Sequence, residues 1–323
     1  MASTTTSSSS SSDEGVTDMA TRVGSLALRH PVMTASGTSG HGDELARHVD
    51  LAGLGAVVVK SLSVERWAGN PPPRVHETPA GMLNSVGLQN PGLGVWLADE
   101  LPPLVATGAT VVASIWGHHV DDYARAAARL ADAPDAVVAV EVNLSCPNRD
   151  HGGSRVEMFA QCAPDAAEVI DACRSAGRPL WAKLTAAVAD LVEVADAVAG
   201  AGAEAVTLVN TVPGLAIDPE TRRPRLGGVG GGLSGPAIHP VAVRAVHDVH
   251  RALPELAIVG VGGVAQAADA VELMLAGASA VQVGTANFAD PRAVGRIATD
   301  LERWCRAHGI VAVVDLIGAA HAP

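Results

Sequence analysis

The segment Ala136-Val137-Val138-Ala139-Val140-Glu141-Val142 leads directly into Asn143-Leu144-Ser145-Cys146-Pro147-Asn148. A short, mainly apolar run of this kind predicts a buried strand of a parallel sheet. The polar residues that follow place a thiol between two amide side chains at the carboxyl end of the strand, where α/β folds build active sites. Cys146 is therefore a candidate for chemistry. The alternative is a buried structural cysteine, because free cysteine is often buried and the local pattern does not separate the two.

Similar short runs alternate with longer helical patterns along the chain. The predicted strands are 32–35, 56–61, 110–115, 136–142, 180–184, 205–209, 257–261 and 280–283. The predicted helices between and after them include 164–176, 188–201, 240–253, 265–276 and 291–308. Eight strand–helix units predict a single-domain α/β fold of the TIM (β/α)8 barrel type, with a doubly wound sheet as the alternative. Residues 21–29 are predicted to form a hairpin that closes the bottom of the barrel.

Composition narrows the class of protein. With 323 residues and 48% hydrophobic content, the chain can bury a large core. A formal charge of −12 argues against a nucleic-acid partner, and no apolar stretch is long enough to predict a membrane helix. The four cysteines have no C-x-x-C spacing, which favours reduced thiols in a cytoplasmic protein and argues against an iron–sulfur or zinc site in this chain.

The chain is predicted to have two parts. Residues 1–20 are rich in Ser and Thr and are expected to form a disordered tail, without the apolar core of a signal peptide. Residues 21–323 are expected to form one catalytic domain.

Polar and glycine residues end or follow the predicted strands, at the end of the barrel where active sites form. They include Ser36, Lys60, Ser61, Asn143, Cys146, Lys183, Asn210, Thr211, Gly262, Gly263, Gly284 and Thr285. The two glycine pairs follow the last two strands, where this barrel usually binds phosphate, although each turn alone is also explained as a tight connection.

Two lysines end otherwise apolar strands. Burying an ammonium without an anionic or electron-rich partner costs several kcal/mol, so Lys60 and Lys183 together suggest a cofactor. The alternative is that each side chain extends to the rim of the barrel.

Longer motifs resemble the dihydroorotate dehydrogenases. They are GNPPPR at 69–74, ETPAGMLNSVGLQNPG at 77–92, NLSCPN at 143–148, VNT at 209–211, GLSGPAI at 232–238 and VGTANF at 283–288. The resemblance extends over residues 23–318. It is most similar to the class 1B catalytic subunit, because a cysteine occupies the position of the base and the loop at 87–92 reads Gly-Leu-Gln-Asn-Pro-Gly.

The resemblance implies an FMN enzyme that oxidises (S)-dihydroorotate to orotate in pyrimidine biosynthesis. Cys146 would take a proton from C5 while a hydride leaves C6 for N5 of the flavin, and Lys60 would act between flavin and substrate. The residues implied to bind the substrate are Lys60, Asn84, Val86, Gly87, Leu88, Asn143, Asn148, Asn210 and Thr211. Those implied to bind FMN are Ala35, Ser36, Lys60, Ser61, Ser114, Asn143, Lys183, Val209, Gly235, Gly262, Gly263, Gly284 and Thr285.

Two positions depart from the family pattern. Glu65-Arg66-Trp67 replaces a frequent Glu-Pro-Arg, and Ala113-Ser114-Ile115 replaces a common Ala-Asn-Val. The second change removes an asparagine that usually contacts the flavin. A paralogue that oxidises another cyclic imide or dihydropyrimidine is therefore an alternative function.

The class 1B resemblance also implies partners. These are a second copy of the chain and an electron-transfer subunit that carries FAD and an iron–sulfur cluster and reduces NAD. The Gly-rich run 227–232 lacks the flanks of a dinucleotide motif and is predicted to be a mobile loop near the flavin. A flavin-free TIM-barrel lyase that uses a strand-end lysine and a non-catalytic scaffold are further alternatives.

Overall fold

The computed structural model describes residues 17–145 and 158–322. Its strands are β1 (Thr21–Val23), β2 (Leu26–Leu28), β3 (Val32–Thr34), β4 (Val57–Val58), β5 (Val75–Thr78), β6 (Gly81–Asn84), β7 (Val111–Ile115), β8 (Val137–Asn143), β9 (Leu180–Lys183), β10 (Ala205–Leu208), β11 (Val212–Gly214), β12 (Ile217–Asp218), β13 (Arg223–Pro224), β14 (Gly231–Ser234), β15 (Ala257–Val261) and β16 (Ala280–Val283).

The helices lie mainly between the parallel strands. They are α1 (Leu93–Val95), α2 (Leu101–Ala106), α3 (Val120–Leu130), α4 (Ala163–Ala172), α5 (Leu191–Gly200), α6 (His239–Ala252), α7 (Ala267–Leu275), α8 (Ala286–Ala289) and α9 (Ala293–Ala307), with a π-helical turn at Trp96–Glu100. Short 3-10 helices cover Glu44–Arg47, Leu51–Gly53, Phe159–Gln161, Cys173–Ala176, Pro236–Ile238, Val313–Leu316 and Ala319–His321.

Eight parallel strands form one sheet in the order β3-β16-β15-β10-β9-β8-β7-β4. The two end strands also meet, because the Gly55 N–H donates to the Val32 carbonyl at 2.9 Å and the Thr34 N–H donates to the Ala56 carbonyl at 3.2 Å. This contact closes the sheet into a barrel and confirms the predicted TIM fold over the doubly wound alternative. Each of the eight predicted strands is present, with its bounds shifted by at most a few residues.

The interior of the barrel has an apolar layer at its bottom. One buried cluster takes a side chain from every barrel strand, and side chains from eight strands meet in this way only inside the barrel. These are Met33, Val58, Val112, Ala139, Trp181, Ala205, Val259 and Ala280. Val23 and Leu28 of the β1–β2 hairpin join the same cluster, so the hairpin closes the bottom as predicted.

The inward positions one step higher are mostly polar. Because side chains alternate along a strand, the residue two positions after each member of the bottom layer also points inward. These residues are Ala35, Lys60, Ser114, Glu141, Lys183, Thr207, Val261 and Gln282. The fold therefore places a polar layer between the apolar bottom and the upper end of the barrel.

A second, antiparallel sheet covers the upper end, with strand order β11-β14-β6-β5. Gly231 and Gly232 belong to β14, so the prediction of a mobile loop over 227–232 is wrong for these two residues. Gly231 pairs with Gly214, and Gly232 pairs with Asn84. A Cβ on Gly231 would collide with the Asn84 backbone, and a Cβ on Gly232 would collide with the Thr211 side chain. The strands approach so closely here that only glycine fits at these two positions.

The predicted tail and the structure differ at the tail's last four residues. Asp18 bridges to Ala312, the Thr17 hydroxyl donates to the Ile310 carbonyl at 3.0 Å, and Met19 is buried in the core. Residues 17–20 therefore belong to the folded domain, and residues 1–16 lie outside the described part. Over the described ranges, no helix has the length and apolar character needed to cross a membrane.

Candidate active site

A cavity of about 1200 Å3 lies between the upper end of the barrel and the antiparallel sheet. Most of the predicted site residues line it, namely Ala35, Ser36, Lys60, Ser61, Asn84, Val86, Gly87, Leu88, Asn143, Lys183, Val209, Asn210, Thr211, Gly235, Gly262, Gly263, Gly284 and Thr285. Ser114 lies behind this lining and is fully buried. Cys146 and Asn148 lie outside the described residues.

Asn143 is held in one orientation by contacts on both ends of its amide. Its Nδ2 donates to Ser61 Oγ at 3.0 Å, and its Oδ1 accepts from the N–H and the hydroxyl of Ser145 at 3.3 and 3.1 Å. Ser61 Oγ in turn lies 2.9 Å from Ser114 Oγ. Ser114 therefore supports Ser61 from behind, and its predicted contact with a cofactor stays a prediction.

Two further asparagines tie the cavity wall together. Asn210 Nδ2 donates to the carbonyl of Ser145 at 3.1 Å, and its Oδ1 accepts the N–H of Thr211 at 2.9 Å. Asn84 Nδ2 donates to the carbonyl of Gly232 at 3.2 Å. The Asn210 contact anchors the backbone immediately before Cys146, the residue predicted to act as the base.

Lys183 lies at the centre of a buried polar network. Its Nζ is 3.4 Å from Glu141 Oε1 and 3.2 Å from Ser36 Oγ, and its side chain is 5% exposed. Glu141 is fully buried, and its Oε2 accepts from Thr207 Oγ1 at 3.1 Å and from Gln282 Nε2 at 2.9 Å. A buried ammonium with a paired and hydrogen-bonded carboxylate is stabilised in its charged form. Lys183 and Glu141 therefore form a buried ion pair beside the cavity.

Lys60 brings a second positive charge to the cavity and is half-buried there. Its backbone N–H donates to the carbonyl of Gly40 at 3.0 Å. Burial and the nearby charge of Lys60 lower the pKa of His41 to about 4. His41 is therefore a neutral imidazole at pH 7 and adds no positive charge beside Lys60.

Three glycine turns meet at one end of the cavity. Gly235 precedes the 3-10 turn that leads into α6, Gly262 and Gly263 follow β15, and Gly284 follows β16. Gly263 has φ +71°, and a Cβ there would lie 2.6 Å from His239 Cβ and 2.9 Å from the Gly235 carbonyl oxygen. Only glycine fits this approach without strain. At these glycines the cavity is lined by backbone, and backbone N–H groups can bind an anion.

Sequence reasoning missed Glu141, Thr207 and Gln282. Glu141 was included in an apolar run, although its charge and its position two residues before Asn143 place it on the same inward face. Thr207 and Gln282 are polar residues at the equivalent inward positions of β10 and β16. Counting every second residue backward from the predicted site residue at the end of each strand would have identified all three as inward-facing polar residues.

An aromatic wall next to the loop at 86–90 was also missed. Trp67, Trp116 and His118 line the cavity, and the Trp67 ring centroid lies 5.8 Å from that of Trp116 and 5.0 Å from that of His118. The sequence marks Trp67 only as a departure from a family pattern. Its contacts join residues far apart in the sequence.

Comparisons with known proteins agree on one family. A family model described as dihydroorotate dehydrogenase matches residues 18–304. A protein of Desulforudis audaxviator named dihydroorotate dehydrogenase B (NAD(+)), catalytic subunit, is 50% identical over 302 residues, which cover 94% of this chain and 97% of that protein. A protein of Trichlorobacter lovleyi with the same name is 49% identical over 302 residues, or 93% of this chain and 98% of that protein.

A solved structure shares the fold. It is the crystal structure of DHODH in complex with ferulenol from Eimeria tenella, with a TM-score of 0.77 and 22% identity. The match covers 95% of this chain and 89% of that one.

Proposed function

The chain belongs to the dihydroorotate dehydrogenase family, and we propose that it is an FMN-dependent catalytic subunit that oxidises (S)-dihydroorotate to orotate in pyrimidine biosynthesis. The observation that carries the proposal is the convergence of Lys60, Lys183, Asn84, Asn143 and Asn210 on one cavity. Two ammonium groups suit an anionic cofactor and an anionic substrate. Amides suit the substrate ring, because each offers a donor and an acceptor to an imide edge.

The residues present fit FMN. The glycine corner formed by Gly235, Gly262, Gly263 and Gly284 supports a phosphate site, since glycine backbone lines it and a Cβ at any of the first three would lie within 3 Å of a neighbouring atom. Lys183 would stabilise negative charge on the ring, and its ion pair with Glu141 holds the ammonium in place. Bound FMN supplies the hydride acceptor, and the protein supplies alignment and charge.

The base of the reaction would be Cys146. Its thiolate would remove the proton at C5 of the substrate, a step that typically contributes a factor of about 10² to 10⁴. Asn210 supports this role by fixing the carbonyl of Ser145, which sets the position from which the segment with Cys146 departs. Asn143, held by Ser61 and Ser145, would present its amide in a fixed orientation.

The names of the relatives support a partner subunit. Both are called catalytic subunits of an enzyme that uses NAD(+). We therefore propose an electron-transfer partner subunit. From the class 1B resemblance we also propose that this subunit carries FAD and an iron–sulfur cluster and that the chain forms a homodimer in the cytoplasm.

Anaerobic mixing of the purified protein with dihydroorotate tests cofactor, substrate and chemistry together. We expect a yellow protein whose flavin absorbance bleaches on mixing. A colourless protein would favour the lyase or scaffold alternatives. Flavin that stays oxidised with dihydroorotate but bleaches with another cyclic imide would favour the paralogue.

The electron route needs a separate assay. Purified alone, the chain should reduce artificial dyes with dihydroorotate but should not reduce NAD. Addition of an FAD and iron–sulfur subunit from the same source should confer NAD reduction. Efficient NAD reduction by this chain alone would contradict the two-subunit proposal, and rapid turnover with fumarate would favour a soluble class 1A enzyme.

A further inference from the structure

Trp67 is attached to the loop at 86–90 at two points. Its backbone exchanges two hydrogen bonds with Asn90, each 3.0 Å long. Its indole Nε1 also donates to the carbonyl oxygen of Gly87 at 3.0 Å. Both Trp67 and the loop residues Gly87 and Leu88 line the cavity. The indole contact is therefore made at the cavity wall.

The contact on Gly87 also determines the direction of the next N–H. The Gly87 carbonyl and the Leu88 N–H belong to one peptide unit, and in a trans peptide these two groups point in opposite directions. Fixing the carbonyl on Trp67 therefore points the Leu88 N–H away from the indole. Gly87 and Leu88 both have left-handed backbone angles, with φ +71° and +63°. For leucine this conformation is unfavourable and persists only where surrounding contacts hold it.

The indole is itself held in place. Its ring packs edge-on against Trp116 and His118, both from the segment after β7, and the side chain is 42% exposed. Trp116 is fully buried and packs against His118 with a centroid distance of 4.9 Å. The orientation of the Nε1–H donor is thus set by two neighbours that do not belong to the loop.

We propose that Trp67 is a positioning residue for the substrate, acting through the Gly87–Leu88 peptide. Its indole N–H holds that peptide, which lines the cavity, in one orientation for contact with dihydroorotate or orotate. The inference rests on the proposed function, because it assigns a determinant of substrate affinity to the same site. Trp67 touches the loop rather than the reacting atoms, so it affects binding and not the chemical step.

The test compares Trp67→Phe with the wild-type holoenzyme. Phenylalanine keeps a ring against Trp116 and His118 but cannot donate to Gly87. We expect the dissociation constant of orotate and the KM for dihydroorotate to rise by about fivefold to tenfold, the range of one lost neutral hydrogen bond. The kcat should stay within about twofold of wild type. Trp304→Phe is the matched control, because Trp304 lies on α9 and stacks on His308, with ring centroids 3.9 Å apart.

The possible outcomes separate the two proposals. A Trp67→Phe protein that binds orotate as tightly as wild type would overturn the inference, even if its thermal midpoint falls, because Trp67 would then be only structural. Equal weakening by Trp304→Phe would also overturn it. Failure of the wild-type holoenzyme to bind orotate would instead refute the proposed function, and the inference with it.

Discussion

Glu141→Gln tests whether the buried carboxylate is what keeps Lys183 charged in the barrel. The substitution keeps the shape of the side chain and removes its charge. Lys183 Nζ lies 3.4 Å from Glu141 Oε1, and both side chains are almost fully buried. We therefore expect a large loss of stability, although the substitution replaces only one heavy atom.

The magnitude follows from the distance. At 3.4 Å and an effective dielectric constant of about 20, the attraction between the two charges is about 5 kcal/mol. Loss of one partner of a buried ion pair typically costs about 3 to 5 kcal/mol. The lysine can instead release its proton, which at pH 7 costs about 4.6 kcal/mol for an amine that titrates near 10.4 in model peptides. We therefore expect the free energy of unfolding to fall by about 4 kcal/mol at pH 7.

The pH dependence identifies the cause. In the variant, the folded state favours a neutral lysine while the unfolded state keeps it charged, so the unfolded state binds more protons. Stability of the variant should then rise with pH toward about 10, and its deficit relative to wild type should shrink.

Urea unfolding at about pH 7 and pH 9.5 measures the loss of unfolding free energy and its dependence on pH. Glu255→Gln is the control, since Glu255 is an exposed turn residue and its change should cost less than about 0.5 kcal/mol. Adding Lys183→Met to Glu141→Gln should recover part of the loss, because no buried charge remains. An unchanged unfolding free energy at pH 7, or a loss that is the same at both pH values, would refute this reasoning.

Three further changes test the base, the phosphate corner and acid stability. Cys146→Ala should slow anaerobic flavin reduction about 10²-fold while flavin stays bound, and an unchanged stopped-flow rate would mean that the thiol is not the base. Gly263→Asp should abolish FMN retention, because it places a carboxylate in the glycine corner and a Cβ 2.6 Å from His239 Cβ. A flavin-to-protein ratio near one in the purified variant would mean that the phosphate binds elsewhere. Burial lowers the pKa of His30 to about 4. As the pH falls, the unfolded chain therefore takes up a proton on this histidine before the folded protein does. The free energy of unfolding should fall between about pH 6.5 and 4, by up to about 3 kcal/mol. His30→Asn, which keeps an acceptor for the Val32 N–H, should flatten this decline in urea titrations, and an equally steep decline would assign it to other groups.

The order of strands and helices was predictable because it depends on local patterns. Short apolar runs predicted all eight barrel strands, and Lys183 was predicted as a site residue because a lysine is expensive in such a run. The resemblance to a family supplied the loop and asparagine positions that line the cavity. The boundary of the tail was less predictable, since Met19 is buried by contacts with distant residues.

The sequence by itself determined which side chains point into the barrel, because alternation along a strand is a local rule. Only the tertiary structure decided which of them become partners. Glu141 and Lys183 are 42 residues apart, and Glu141 and Gln282 are 141 apart, and they meet because β8, β9, β10 and β16 share one closed sheet. Trp67 reaches Gly87 because two loops of the upper end pack together. Such contacts depend on strand order, register and loop packing, which no short stretch of sequence specifies.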